Sequence, residues 1–289
     1  MTQIASLSPN TAPILPRFPL EKITPAAERR PVHPKQAPRP VKTTAFYNRE
    51  AHLSFYERYG RSTHVYYWHE RDLFVPGVTS VLKRLDKPML LGWAAGCGAE
   101  LMYRRFREKG TLTREDIKDG KSAHNRIRDD AADIGKLVHK TMEKLFRGEE
   151  IDLTAMPPEA LKALNGAREW LDAHHIEVIE PERLLFSRKW FFAGQCDLFA
   201  HIDGKLTLLD FKTSSGFYID HALQTAAYAL AERENTGVRP EQRMIVRFDK
   251  KTGAFDVHTL PHSNRHEDLF LRLREFHELM TTEEKEFYQ

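Results

Sequence analysis

Between Gln195 and Lys212 the chain reads QCDLFAHIDGKLTLLDFK, two strand-like segments separated only by Asp203-Gly204. Asp-Gly is a favoured dipeptide for a two-residue type I′ hairpin turn, so this connection fixes the pairing of its flanks. With Ile202 facing Lys205, Asp197 faces Asp210. Directly opposed residues share a sheet face with Cβ atoms about 5 Å apart, where like charges repel. Lys212 follows Asp210 by two positions and emerges on that same face. Leu206, Leu208, Leu209 and Phe211 place apolar side chains on both faces, as in a strand covered on both sides. Charge in such a strand is costly unless it is paired or metal-bound. Two carboxylates and an ammonium on one patch therefore predict a divalent cation between the aspartates. Magnesium and manganese, hard ions that favour carboxylate oxygen, suit the position.

The remaining sequence supplies a body for this hairpin. With 289 residues, 41% of them hydrophobic, the chain can bury a substantial core. Cys97 and Cys196 are too few for a disulfide framework or a four-cysteine metal site, which fits a reducing, cytoplasmic setting. The apolar runs are too short for a membrane span, and no signal segment opens the chain, so no membrane partner is expected. A net charge of +3 permits a nucleic-acid partner through local basic patches.

Nine of the 16 prolines fall within residues 1–40, so residues 1–43 read as a disordered, basic, proline-rich tail. A single folded domain is expected over 44–289, its N-terminal portion, 44–120, helical and DNA-binding. Within that portion His64–Gly77 reads as a short strand pair, and Thr79 or Ser80 as the cap of a following helix. A second helix ends at Gly110. Lys83, Arg84, Lys87, Arg104, Arg105 and Arg107 cluster on these two helices as a candidate phosphate-binding surface. Helices are predicted over 122–147, 157–175, 219–235 and 264–280, the last with Glu267 at a capping-box position. Gly135 and His139 share a face of the first of these, as do Gln224 and Tyr228 of the third.

Five elements in order, GxxxH at Gly135–His139, a glutamate at Glu182, GxxD at Gly194–Asp197, DFKTS at Asp210–Ser214 and QxxxY at Gln224–Tyr228, resemble the RecB-like branch of the PD-(D/E)XK nuclease superfamily. The segment VPGVTSVLKRLDKPMLLGWA is similar to the opening of phage-encoded members and of the mitochondrial genome-maintenance exonuclease. The likeness covers roughly residues 64–250. It implies an α/β, restriction-endonuclease-like fold with an αβββαβ core, its mixed sheet flanked by helices and forked at the metal site.

The resemblance also implies roles. Asp197 and Asp210 correspond to metal-binding aspartates, Lys212 to the lysine that orients or activates water, and Glu182 to an additional acid, with Glu180 as its alternative. His139 and the Phe211 carbonyl complete the implied ligand set for one or two Mg2+ or Mn2+ ions. Gly135, Thr213, Gln224 and Tyr228 are implied to bind DNA or support the centre. Gly77 stands where the family pattern has serine, which passes a phosphate contact to Thr79 or Ser80. The four cysteines of iron–sulfur relatives are missing, so no such cluster is expected. The implied activity is a DNA exonuclease leaving 5′-phosphates, acting on single strands or DNA ends, with a recombination or single-strand annealing protein as a possible partner. A site- or structure-specific endonuclease and a catalytically silent DNA-binding protein are the alternatives.

Overall fold

The computed structural model describes residues 23–24, 45–48, 53–57 and 64–287. Most of the proline-rich segment lies outside these residues. Its described part, Ile23–Thr24 (β1), pairs in parallel with Ile176 and Glu177.

The 44–120 portion opens as a sheet before it becomes helical. Ala45–Asn48 (β2), Leu53–Glu57 (β3), His64–Trp68 (β4) and Leu73–Val75 (β5) form a four-stranded antiparallel meander. Two helices follow, Val78–Leu82 (α1) and Met89–Lys109 (α2), the second stopped by Gly110 in the left-handed region at φ 74°. Gly77, not Thr79 or Ser80, is the N-cap of α1, so both of those residues lie inside the helix.

The helix expected from residue 122 begins earlier, as Arg114–Phe146 (α3). Thr113 and Asp116 close a reciprocal capping box at its start, with Thr113 Oγ1 accepting from Asp116 N at 3.2 Å and Asp116 Oδ2 accepting from Thr113 N at 2.9 Å. Polar composition hid this start, because residues 114–121 contain a single large apolar residue, Ile117. Gly98 of α2 and Gly120 of α3 let the two backbones meet, since a Cβ on Gly98 would stand 2.7 Å from Gly120 O.

Pro158–Ala173 (α4) leads into the main sheet, formed by Ile176–Ser187 (β6), Phe192–Ile202 (β7), Lys205–Lys212 (β8), Gln242–Phe248 (β9) and Phe255–Leu260 (β10) in the order β1-β6-β7-β8-β9-β10. Ile219–Thr236 (α5) carries the chain from β8 across to β9, which makes that pair parallel, while the β6–β7, β7–β8 and β9–β10 pairs are antiparallel. Asn264–Phe287 (α6) closes the fold. Glu267 lies one residue beyond the capping-box position of α6 and pairs instead with Arg233 at 3.1 Å.

Helices cover both faces of the sheet. On one face, Val138, Met142 and Phe146 of α3 and Leu164, Trp170 and Leu171 of α4 pack on Leu198, Ala200, Ile202, Leu209 and Phe211. On the other, α1, α5 and Phe270 of α6 pack on Phe192, Cys196, Phe199 and Leu208. Residues Thr207–Phe211 of β8 are all buried, as a strand covered twice requires.

Candidate active site at the sheet fork

The β7–β8 turn has Asp203 at φ 51° and Gly204 at φ 78°, the two positive values of a type I′ connection. The ladder runs from Ile202 opposite Lys205 to Leu198 opposite Leu209 and then stops, one pair short of Asp197 and Asp210. The register is as the turn dictates, but the strands part where the acids meet. On the other side of β7, Pro181 faces Leu198 and Arg183 faces Cys196, while the intervening position, Glu182 against Asp197, is unpaired. Asp197 thus sits where both neighbouring ladders are interrupted.

Side-chain alternation slips at the same place. Cys196 packs on the α5 side, Leu198 on the α3 and α4 side, and Phe199 on the α5 side again. Residues two apart should share a face, so Cys196 and Leu198 mark a one-residue phase change centred on Asp197.

Asp197 takes over the missing hydrogen bonding. Its Oδ2 accepts from Phe211 N at 2.6 Å, and its Oδ1 lies 3.1 Å from His139 Nδ1 on α3. Burial opposes ionisation of Asp197, yet His139, Lys212 and the Phe211 N–H together hold its carboxyl below the usual range. Burial likewise opposes a charged His139, but Asp197 beside it raises the imidazole above its ordinary value. The Phe211 side chain belongs to the core, stacked on Phe146 and Phe248, and its ring also meets the His139 imidazole edge-on with centroids 6.5 Å apart, while its backbone reaches the fork.

Asp210 is 2% exposed and pairs with the ammonium of Lys212, two residues on along the same face. Burial pushes its carboxyl up to about 6, with Asp197 adding to the rise and Lys212 opposing it. Lys212 Nζ also donates to Gln224 Oε1 at 3.1 Å, and Gln224 Nε2 donates to Tyr228 Oη at 2.9 Å. One turn of α5 therefore holds the lysine. Tyr228 in turn packs on Gly194, where a Cβ would approach its Cε1 to 2.2 Å. The glycine of GxxD is explained by the tyrosine of QxxxY.

Glu182 reaches the cluster through a left-handed backbone, φ 51°. Burial, then Asp197 and then Glu143 raise its carboxyl well above the ordinary range. Glu143 and its partner Arg147, 2.9 Å apart, follow His139 by four and eight residues along α3, and sequence reading missed both. The i, i+4, i+8 spacing from His139 was the available signal.

The other anticipated residues are distributed as follows. Gly135 approaches Thr213, whose Oγ1 would be 3.0 Å from a Cβ at that glycine. Thr79 is exposed and Ser80 partly buried on α1, and among the described residues neither is hydrogen-bonded to the acidic cluster. Glu180 pairs with Arg183 at 2.7 Å. Three of the six basic residues are engaged within the fold: Arg84 with Glu284, Lys87 with Asp220, and Arg105 with Asp116 and Asp119. Lys83, Arg104 and Arg107 are exposed.

Among the described residues no three His, Cys, Asp or Glu side chains stand in a metal-ligand arrangement. The chemistry of the donor set nevertheless fits a hard dication. Asp197 raises the cost of ionising both Asp210 and Glu182 across the fork, and the buried Asp210 Oδ2 faces the Lys212 ammonium.

Comparison with known proteins adds to this geometry. A family described as the PD-(D/E)XK nuclease superfamily matches residues 112–287, more than half of the chain. No curated protein sequence gives a match. Among solved structures, one described as "Crystal structure of SSO0001" is 14% identical, covering 64% of this chain and 71% of its own, with a TM-score of 0.32. Another, "Crystal Structure of LHK-Exo in complex with dAMP", is 11% identical, covering 55% of this chain and 88% of its own, with a TM-score of 0.33.

Proposed function

The chain belongs to the PD-(D/E)XK nuclease superfamily, and on that premise we propose that it is a metal-dependent DNA exonuclease leaving 5′-phosphate ends. The observation that carries this reading is the convergence of Asp197, Asp210 and Lys212 at the fork between β7 and β8. Superfamily nucleases generally use divalent metal ions such as Mg2+ or Mn2+, and DNA is the substrate that membership implies.

Asp197, Asp210 and Glu182 are the residues to hold one or two such ions, with His139 and the Phe211 carbonyl as further ligands. When bound, the ion supplies Lewis-acid neutralisation of phosphate charge and makes water more acidic. The chain supplies the rest. Lys212, held by Gln224, presents an ammonium that offsets phosphate charge and orients the attacking water. Gln224 and Tyr228 keep that ammonium from swinging away. Thr213, beside Gly135, and the exposed Lys83, Arg104 and Arg107 contact the DNA backbone, so ends are recognised by geometry and charge rather than by base edges. The biological setting consistent with this chemistry is recombination, repair or degradation of DNA.

The test compares digestion of linear and covalently closed circular DNA in Mg2+ or Mn2+ by the wild type and by Asp210→Ala. Linear DNA is expected to be degraded to 5′-phosphorylated products by the wild type alone. Cleavage of closed circles would assign an endonuclease, and activity persisting in Asp210→Ala would remove the site assignment.

A further inference from the structure

Glu182 is not glycine, yet its φ of 51° lies in the left-handed region, which costs an ordinary residue roughly 1–2 kcal/mol and persists only where the surroundings enforce it. The surroundings are unusually polar for a covered sheet face. The next residue, Arg183, points toward α5 and binds Glu232 through two parallel hydrogen bonds, Nε to Oε2 at 2.8 Å and Nη2 to Oε1 at 2.9 Å. Its remaining nitrogen, Nη1, donates to Glu180 Oε2 at 2.7 Å, and the guanidinium lies over the Phe199 ring at 4.9 Å from its centroid. Glu232 is 2% exposed. From β7, Gln195 Nε2 donates to the carbonyl of Glu182 itself at 2.9 Å. The positions immediately before and after Glu182 keep their ladder partners, and a separate register shift lies upstream between Val178 and Glu180.

A buried ion pair of this kind contributes little net stability compared with apolar packing of the same volume, so its presence needs another reason. We infer that the Arg183–Glu232 clamp, with Glu180 and Gln195, is a positioning device. It anchors β6 to α5 on one side of Glu182 and thereby holds the left-handed turn that aims the Glu182 carboxylate at Asp197. Arg183 touches neither acid of the fork and acts only through its neighbour. This inference rests on the proposed nuclease reading of the site.

Two variants remove the clamp while sparing the fold. Arg183→Met combined with Glu232→Met exchanges the pair for apolar side chains of similar reach, and Arg183→Lys keeps the charge but cannot make the two-pronged contact. Each is made in the wild type and in a Glu182→Gln background, and three quantities are read: turnover of linear DNA, Mn2+ affinity by electron paramagnetic resonance, and the urea midpoint. In the wild-type background turnover is expected to fall about 10- to 100-fold and Mn2+ affinity about tenfold, the size seen for partners that orient metal ligands. In the Glu182→Gln background the same changes should cost neither quantity anything further, whereas any shift in urea midpoint should be equal in both. Equal losses of turnover and affinity in the two backgrounds, or no loss in either, overturn the inference. A wild type that binds Mn2+ but cleaves no DNA would retire the nuclease reading, and the affinity measurement would still decide the clamp.

Discussion

The Tyr228 ring occupies the space that a side chain at Gly194 would need, a Cβ there standing 2.2 Å from Tyr228 Cε1. Because Tyr228 Oη holds Gln224, and Gln224 holds Lys212, the absence of one methyl group on β7 governs where the site's ammonium sits.

Gly194→Ala should therefore displace the ring and loosen Lys212. We expect a loss of about 1–3 kcal/mol in stability from overpacking, read from urea unfolding, and at least a tenfold loss of DNA turnover. Adding Tyr228→Leu should restore much of the stability but not the turnover, since the hydroxyl that holds Gln224 is gone.

Asp210 gives the site a pH signature. Its ordinary value is 3.8 and the folded protein raises it to about 6. The folded state thus binds a proton more tightly than the unfolded chain between those values, and stability falls as pH rises through that window. Asp210→Asn removes the dependence. In EDTA it should be about 3 kcal/mol more stable than the wild type at pH 8, with the difference falling below about 1 kcal/mol near pH 4, as followed by urea unfolding at both pH values.

Lys212→Met leaves Asp210 without its ammonium and any bound phosphate without a counter-charge. Turnover should fall by about 10²- to 10⁴-fold. The Asp210 carboxyl should rise further, visible as an upward shift of its titration in carboxyl-directed NMR.

Thr113→Ala tests a structural feature remote from the chemistry. Loss of the capping box at the start of α3 should cost about 1 kcal/mol in thermal or urea unfolding. Turnover should change less than twofold, because His139 lies many turns further along the helix.

Some of this architecture was legible in the residues themselves. Asp203-Gly204 set the β7–β8 register because a two-residue turn allows little choice, and alternation put Lys212 beside Asp210 because both lie on one regular strand. Local chemistry also ended α2 at Gly110 and placed Gln224 and Tyr228 on one face of α5. The parting of the strands at Asp197 was not legible, since it depends on a side chain capturing the backbone N–H of Phe211 and on the phase slip between Cys196 and Leu198. Nor could any local pattern announce that Glu143 and Arg147 stand beside Glu182, or that Glu232 clamps Arg183 from 49 residues away. Periodicity and turn chemistry act over a few residues and are written along the chain. Close approaches between distant elements, and the charge interactions they create, come into being only when the sheet and its covering helices pack together.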